Sequence, residues 1–269
     1  QPPVFTDFKP LVVDAGREVV KSPLRETGDG YRMDLDGLAA AAAEPTTRLM
    51  ILCNPHNPVG RVWTADELAA AAEVCAANDV FVLADEIHAD LALPPHRFTP
   101  FSTVAAGSGL RWAATHGPIK TFGVAGLCDT LLITDDDEIT ERYRLRSSQY
   151  HLTRNNVAAL AAFEAAYRTG GPWVDALLAL VADNLAVLRD GLPGGIRLVE
   201  MEGTYLAWLD LRGLGMEVPE LAAWLAAEAR LALSPGHWFG REGAGFARMT
   251  IAAPTGRIVE AAARLSSAV

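Results

Sequence analysis

Basic side chains are in short supply: 23 lysines and arginines stand against 33 aspartates and glutamates in 269 residues, a formal net charge of -10. With no lysine or arginine cluster to neutralise a phosphate backbone, nucleic acid is not an expected partner. Cysteine is scarcer still. Cys53, Cys75 and Cys128 are too few and too scattered for a disulfide framework or a zinc site, and none stands out as a nucleophile. No apolar run approaches the length of a membrane span, and the opening Gln1-Pro-Pro-Val-Phe5 lacks a charged leader followed by an apolar stretch. The expectation is a cytoplasmic protein with no membrane contact. What the chain has is hydrophobic residues, 50% of the total. That is enough to bury a large core, with length for two domains, and it leaves small molecules as the expected ligands.

From Asp34 to Asp135, amphipathic helices alternate with short strands that are apolar on both faces, the signature of a buried, mostly parallel sheet. Strands are predicted at 48–53, 80–84, 110–114 and 130–134. Thr64-Ala-Asp-Glu67 reads as a capping box that opens a helix reaching about Ala77, with Leu68, Ala71, Ala72 and Cys75 on its apolar face. After about Asn155 the pattern changes. Two helices, 157–168 and 172–192, are joined by Thr-Gly-Gly-Pro, and the second carries a stripe of Leu177, Val181, Leu185 and Leu188. Strands at 196–201 and 205–211, a helix at 219–230, strands near Leu233 and at 246–251, and a final helix from Gly256 complete the chain. The predicted fold class is α/β. Residues 1–155 form a large domain with a mostly parallel sheet between helices, and residues 156–269 form linking helices and a smaller α+β domain.

In sheets of this kind ligands gather beyond the carboxyl ends of strands. Three such places hold chemistry: Cys53-Asn-Pro-His-Asn-Pro-Val-Gly60, Asp85-Glu-Ile-His88 and Lys120-Thr-Phe122. Asp85 lies 28 residues after Asn57, and Lys120 lies 35 after Asp85, each about one strand-helix-strand unit. Pyridoxal phosphate makes three matching demands: an anion for its pyridine nitrogen, a donor for its ring hydroxyl and an amine for its aldehyde. Asp85, Asn57 and Lys120 answer them in turn. His88 can reach the same ring edge, Pro55 and Pro58 stiffen the turn that aims His56 and Asn57, and Arg248, on a late strand, can bind a substrate carboxylate through two parallel hydrogen bonds. Singly, each has a plainer reading: a turn-capping aspartate, a core histidine, a stiffened connection, a solvated lysine, a surface arginine. Their joint spacing favours the site.

The stretches 52–63, 85–91, 120–122, Gly203-Thr-Tyr-Leu-Ala-Trp-Leu-Asp-Leu211 and Phe246-Ala-Arg-Met249 resemble pyridoxal phosphate enzymes of the aspartate aminotransferase fold, class I/II, and within them the cystathionine beta-lyase-like carbon-sulfur lyases. His88 carries the narrower likeness, since ordinary aminotransferases of this fold usually have tyrosine there. The resemblance implies that Lys120 forms the Schiff base with the cofactor, Asp85 pairs with the ring nitrogen, Asn57 donates to the ring oxygen, His88 lines that edge and Arg248 binds the amino-acid carboxylate. It implies α,β-elimination on a cysteine S-conjugate or cystathionine-like amino acid, giving thiol, pyruvate and ammonia. A homodimer is implied as well, together with a segment before Pro2 that this chain does not include.

The chain departs from the family pattern around the lysine. Serines or threonine that help hold the cofactor phosphate are replaced by His116, Gly117 and Ile119, a frequent arginine by Cys128, and the asparagine after Lys-Thr-Phe by Gly123. Phe5 and Thr250 replace an expected tyrosine and asparagine. Two rival readings follow: an aminotransferase of the same fold, and a non-enzymatic interaction module that kept the fold but lost its grip on the cofactor.

Overall fold

The structure, a computed structural model, describes every residue except Asp29 and Arg154. Its strands are β1 (Arg25–Thr27), β2 (Gly30–Arg32), β3 (Leu49–Cys53), β4 (Phe81–Asp85), β5 (Trp112–His116), β6 (Leu131–Ile133), β7 (Arg197–Leu198), β8 (Leu206–Asp210), β9 (Ser234–Pro235) and β10 (Phe246–Thr250). The helices are α1 (Phe8–Asp14), α2 (Leu35–Ala42), α3 (Ala65–Ala77), α4 (Phe101–Ala105), α5 (Asp137–Gln149), α6 (Val157–Thr169), α7 (Gly171–Gly191), α8 (Val218–Ala227) and α9 (Thr255–Ala268).

Strands β3, β4 and β5 pair in parallel, and β6 closes the sheet antiparallel to β5. Short apolar strands buried on both faces build this sheet: Leu52, Val82, Ala84, Ala113 and Ala114 are all but excluded from solvent. The register decides what comes next. Cys53 lies beside Asp85, and Asp85 beside Thr115, so the chain's first carboxylate candidate meets its neighbours at one edge of the sheet.

Helix α3 starts where the capping box predicts. The Thr64 hydroxyl accepts from the Glu67 amide at 3.2 Å, and the Glu67 carboxylate accepts from the Thr64 amide at 2.9 Å, which satisfies two otherwise free first-turn donors. Leu68, Ala71, Ala72 and Cys75 form its buried face, so Cys75 is packing, as its position predicts.

The second sheet runs β7-β8-β10-β9, antiparallel throughout. Its core joins the stripe of α7 to α8 and α9, with Val181, Leu188, Leu209, Ile251, Ile258 and Leu265 wholly buried. Each such aliphatic side chain contributes roughly 1.5–3 kcal/mol. Among the described residues α7 is also long and apolar enough to cross a membrane by length and composition, which departs from the expectation that no apolar run approaches that size. The reason lies in its composition: alanine and leucine fill the outward face as well as the packed stripe, and only 17% of its apolar window is buried.

Two predicted strands shift. β5 begins at Trp112 rather than Leu110, because the Ser108 hydroxyl takes the Leu110 amide into the preceding turn. β7 is only Arg197–Leu198, with one further bond from the Val199 amide to the Trp208 carbonyl. Beyond it the chain leaves the sheet, and the amides of Glu202 and Gly203 both donate to the Gly60 carbonyl.

Candidate active site

The five sequence-predicted residues converge. Asp85 ends β4 and is half-buried. Its Oδ1 accepts from the Thr115 hydroxyl at 3.1 Å and from the Ile87 amide at 3.3 Å, and no described residue donates to Oδ2. Burial raises its pKa, while those two hydrogen bonds and the charge of Lys120 pull the other way. A cation opposite Oδ2 would relieve that burial penalty. Lys120 sits in the turn after β5, half-buried, and its amine makes no hydrogen bond or ion pair among the described residues.

Asn57 is buried, and its Oδ1 accepts from Arg248 Nη1 at 3.0 Å. A guanidinium can only donate, so this bond fixes the amide's orientation and leaves Nδ2 as a donor toward the cleft. Arg248 comes from β10, across the molecule from Asn57. It also donates to the Ser234 hydroxyl at 3.3 Å and lays its guanidinium 4.8 Å from the centre of the Phe239 ring. Burial lowers its pKa.

His88 is buried with Nδ1 lacking a partner among the described residues, and its ring meets Tyr205 edge-on at 5.9 Å. Burial, then the charges of Lys120 and Arg248, depress its pKa to about 3, so the ring is neutral at physiological pH.

The turn that carries Asn57 is braced from below. Arg61, almost fully buried, donates to Glu67 at 2.8 Å, to Glu202 at 2.8 Å and to the Tyr31 carbonyl, and packs over Trp63. Glu202 also accepts from the Val62 amide at 2.8 Å. His56 does not join Asn57 in the cleft. It turns inward, with Nε2 2.9 Å from the Pro3 carbonyl and its ring edge-on to Trp63, because the Gly60 amide bonds back to the His56 carbonyl and folds the turn tightly.

Sequence reasoning did not single out several residues at the site. Thr115 holds Asp85 from the adjacent strand, a position that parallel register alone would suggest. Glu86, next to Asp85, accepts from the Phe101 amide at 2.6 Å, and burial raises its pKa to about 7. Asp90 accepts from the Thr121 hydroxyl at 2.9 Å, and so ties the Asp85 loop to the residue after Lys120. Ser234 lies on the two-residue edge strand β9, where a strand near Leu233 is predicted, but nothing local marks its hydroxyl as a partner of Arg248.

A family model for aminotransferase class I and II matches residues 1–265. The chain belongs to that family. It is 33% identical to cystathionine beta-lyase PatB of Bacillus subtilis, over 100% of this chain and 70% of PatB. A pyridoxal phosphate-bound putative aminotransferase from Clostridium difficile superposes with a TM-score of 0.95 at 32% identity, covering 100% of this chain and 70% of that one. Cystalysin from Treponema denticola, whose structure contains pyridoxal 5'-phosphate, gives 0.92 at 28% identity, with 99% and 68% covered. The chain thus spans about 70% of the length of these relatives.

The donor set fits the ring end of that cofactor: an open carboxylate oxygen on Asp85, a free amide donor on Asn57, an unpaired amine on Lys120 and an orphaned buried nitrogen on His88. The strip around Gly117 is otherwise engaged. A Cβ on Gly117 would lie 3.2 Å from both the Asp129 carbonyl oxygen and the Thr130 Cα. Cys128 is buried with its thiol directed to the Ala159 carbonyl at 3.5 Å, and His116 stacks on Tyr167 with Nε2 3.2 Å from the phenol oxygen.

Proposed function

We propose that this chain is a pyridoxal phosphate-dependent carbon-sulfur lyase that eliminates a thiol from a cysteine S-conjugate or a cystathionine-like amino acid. The observation that carries the reading is the single cluster of Asn57, Asp85, His88, Lys120 and Arg248, drawn from both sheets. The likeness to PatB, named a cystathionine beta-lyase, supports the lyase side. When bound, the cofactor supplies an electron sink at the substrate Cα.

The chain's own groups supply the rest. Arg248, already fixed by Asn57, Ser234 and Phe239, receives the substrate α-carboxylate and orients the Cα–H bond. Lys120 Nζ is the base that takes the α-proton, and the same amine can return it to the departing sulfur. Asp85 would hold a positive charge at the ring nitrogen through its open oxygen, because a partly buried carboxylate against a cation in low dielectric is stabilised. Neutral His88 would line the cofactor's ring edge without adding a competing cation. Overall, substrate thioether and water give thiol, pyruvate and ammonium, with no external oxidant or reductant. The reading carries with it a homodimer in the cytoplasm, which light scattering and cell fractionation test.

An aminotransferase of the same fold is the second reading, favoured by the likeness to the Clostridium difficile protein. The experiment supplies the protein and pyridoxal phosphate with cystathionine, then with an amino acid and a 2-oxoacid. Thiol and pyruvate release is the expected result. Amino-group exchange without thiol release overturns the lyase reading in favour of the second. A protein that gains no visible cofactor band with Lys120 intact supports a non-enzymatic module instead, for which the occupied strip around Gly117 is the motive.

A further inference from the structure

The loop Glu202–Tyr205 is held in an unusual backbone conformation. Thr204, buried and β-branched, has φ +68°, a region such residues rarely occupy unless their surroundings impose it. The surroundings do impose it. The Thr204 amide donates to the Leu91 carbonyl at 2.8 Å, its hydroxyl accepts from the Leu206 amide at 3.1 Å, and the Gly203 amide donates to the Gly60 carbonyl at 2.9 Å. Gly203 cannot be replaced there, because a Cβ would stand 2.6 Å from Val62 and 3.1 Å from the Leu91 carbonyl oxygen.

What this arrangement achieves is the direction of the next side chain. Tyr205 is turned so that its ring meets His88 edge-on at 5.9 Å while its phenol feels the charge of Arg248. Its hydroxyl has no hydrogen-bond partner among the described residues, and the side chain is only half-buried, so the phenol opens on the cleft. Burial pushes its pKa up, with only Arg248 acting against that, so the group is a donor and not a base. Strain of this kind, imposed by three hydrogen bonds while the Tyr205 hydroxyl itself is left without a partner among the described residues, is characteristic of a group aimed at a ligand.

We propose that Tyr205 is a substrate-contacting residue, whose hydroxyl donates to the α-carboxylate that Arg248 binds and whose ring forms the cleft wall between Arg248 and His88. The inference rests on the reading of the cleft as an amino-acid site and adds to it a second donor for the carboxylate, from the residue just before β8.

The test uses the cofactor-loaded protein and 3-(methylthio)propionate, a probe with the carboxylate and thioether of a substrate but no amino group to react. Its dissociation constant is measured by calorimetry for the wild type, Tyr205→Phe and Arg248→Met, alongside steady-state kinetics with cystathionine. Tyr205→Phe is expected to weaken the probe about tenfold and to raise KM more than it lowers kcat, with the visible cofactor band and melting temperature unchanged. A dissociation constant and KM within twofold of wild type overturn the inference, as does a Tyr205→Phe protein that loses the band or melts several degrees lower, which would mark the tyrosine as loop support. If Arg248→Met loses the probe while Tyr205→Phe holds it undiminished, only this inference falls. If the wild type itself ignores the probe, the amino-acid reading of the cleft falls and takes the inference with it.

Discussion

Asp85 and Gly117 lie at or just beyond the carboxyl ends of neighbouring strands, yet their surroundings are opposite in kind. At Asp85 the supporting bonds all reach one oxygen and leave the other open, just as Arg248 satisfies one end of the Asn57 amide and leaves the second. The Lys120 amine beside them is bonded to no described residue. At Gly117 the space is taken: Thr130 and Asp129 pack against its Cα, Cys128 is spent on Ala159, and His116 on Tyr167. A binding site advertises itself by unfinished bonding, and a packed strip by finished bonding. By that measure the ring and amine end of the cleft is kept for a ligand, and the strip around Gly117 is kept for the fold.

The contrast can be broken most sharply at Lys120. Lys120→Ala is expected to remove the visible cofactor band and cut thiol release by roughly 10³-fold or more, a loss beyond that of a single positioned acid or base. Retained turnover in stopped assays would mean that the open end is not the reactive end. Arg248→Lys comes next. A point charge cannot reproduce two parallel bonds, so kcat/KM for the amino acid should fall roughly 10²-fold, mostly through KM. An unchanged KM would place the carboxylate elsewhere.

Glu86, which lies under the open end, gives a pH test. Its pKa is raised from an unfolded value of 4.5 to about 7, so the fold favours the protonated carboxyl. The stability this contributes is complete below pH 4.5 and lost as pH rises through about 7, a change of about 3 kcal/mol. Denaturant midpoints of wild type and Glu86→Gln, which keeps the acceptor for the Phe101 amide, should therefore converge in acid and separate in favour of the variant above pH 7. A gap that does not vary with pH would show that the carboxyl ionises freely in the fold. The smallest expected effect is at the packed end. Gly117→Ser should cost about 1–3 kcal/mol through crowding of Thr130 and should not tighten cofactor binding. Tighter binding measured by absorbance titration would show that the strip can still yield to a ligand.

Much of this was legible in the sequence. Asn57, Asp85 and Lys120 each follow a strand end at one strand-helix-strand spacing, and parallel topology alone then places them on one edge. The capping box of α3 and the stripe of α7 were equally plain, since both depend on local periodicity. What the sequence hid depends on contacts between distant segments. Nothing local shows that Arg248 would cross to Asn57, 191 residues away. Nor does anything local show that His56 would turn from its neighbour into the interior, or that Gly117 is held by Thr130 as well as permitted by the turn. Tyr205 lay within a recognisable stretch, but its importance depends on the backbone angle of the residue before it.

Arg61 links four segments at once: the Asn57 turn, the start of α3 through Glu67, the Tyr205 loop through Glu202, and β2 through the Tyr31 carbonyl. Those segments are therefore one mechanical part, and a cleft that opens and closes must flex somewhere else. Anyone grafting the 54–63 turn from a relative to retune substrate choice should move residues 202–205 with it. Otherwise a buried guanidinium would be left facing an acceptor that is no longer in place.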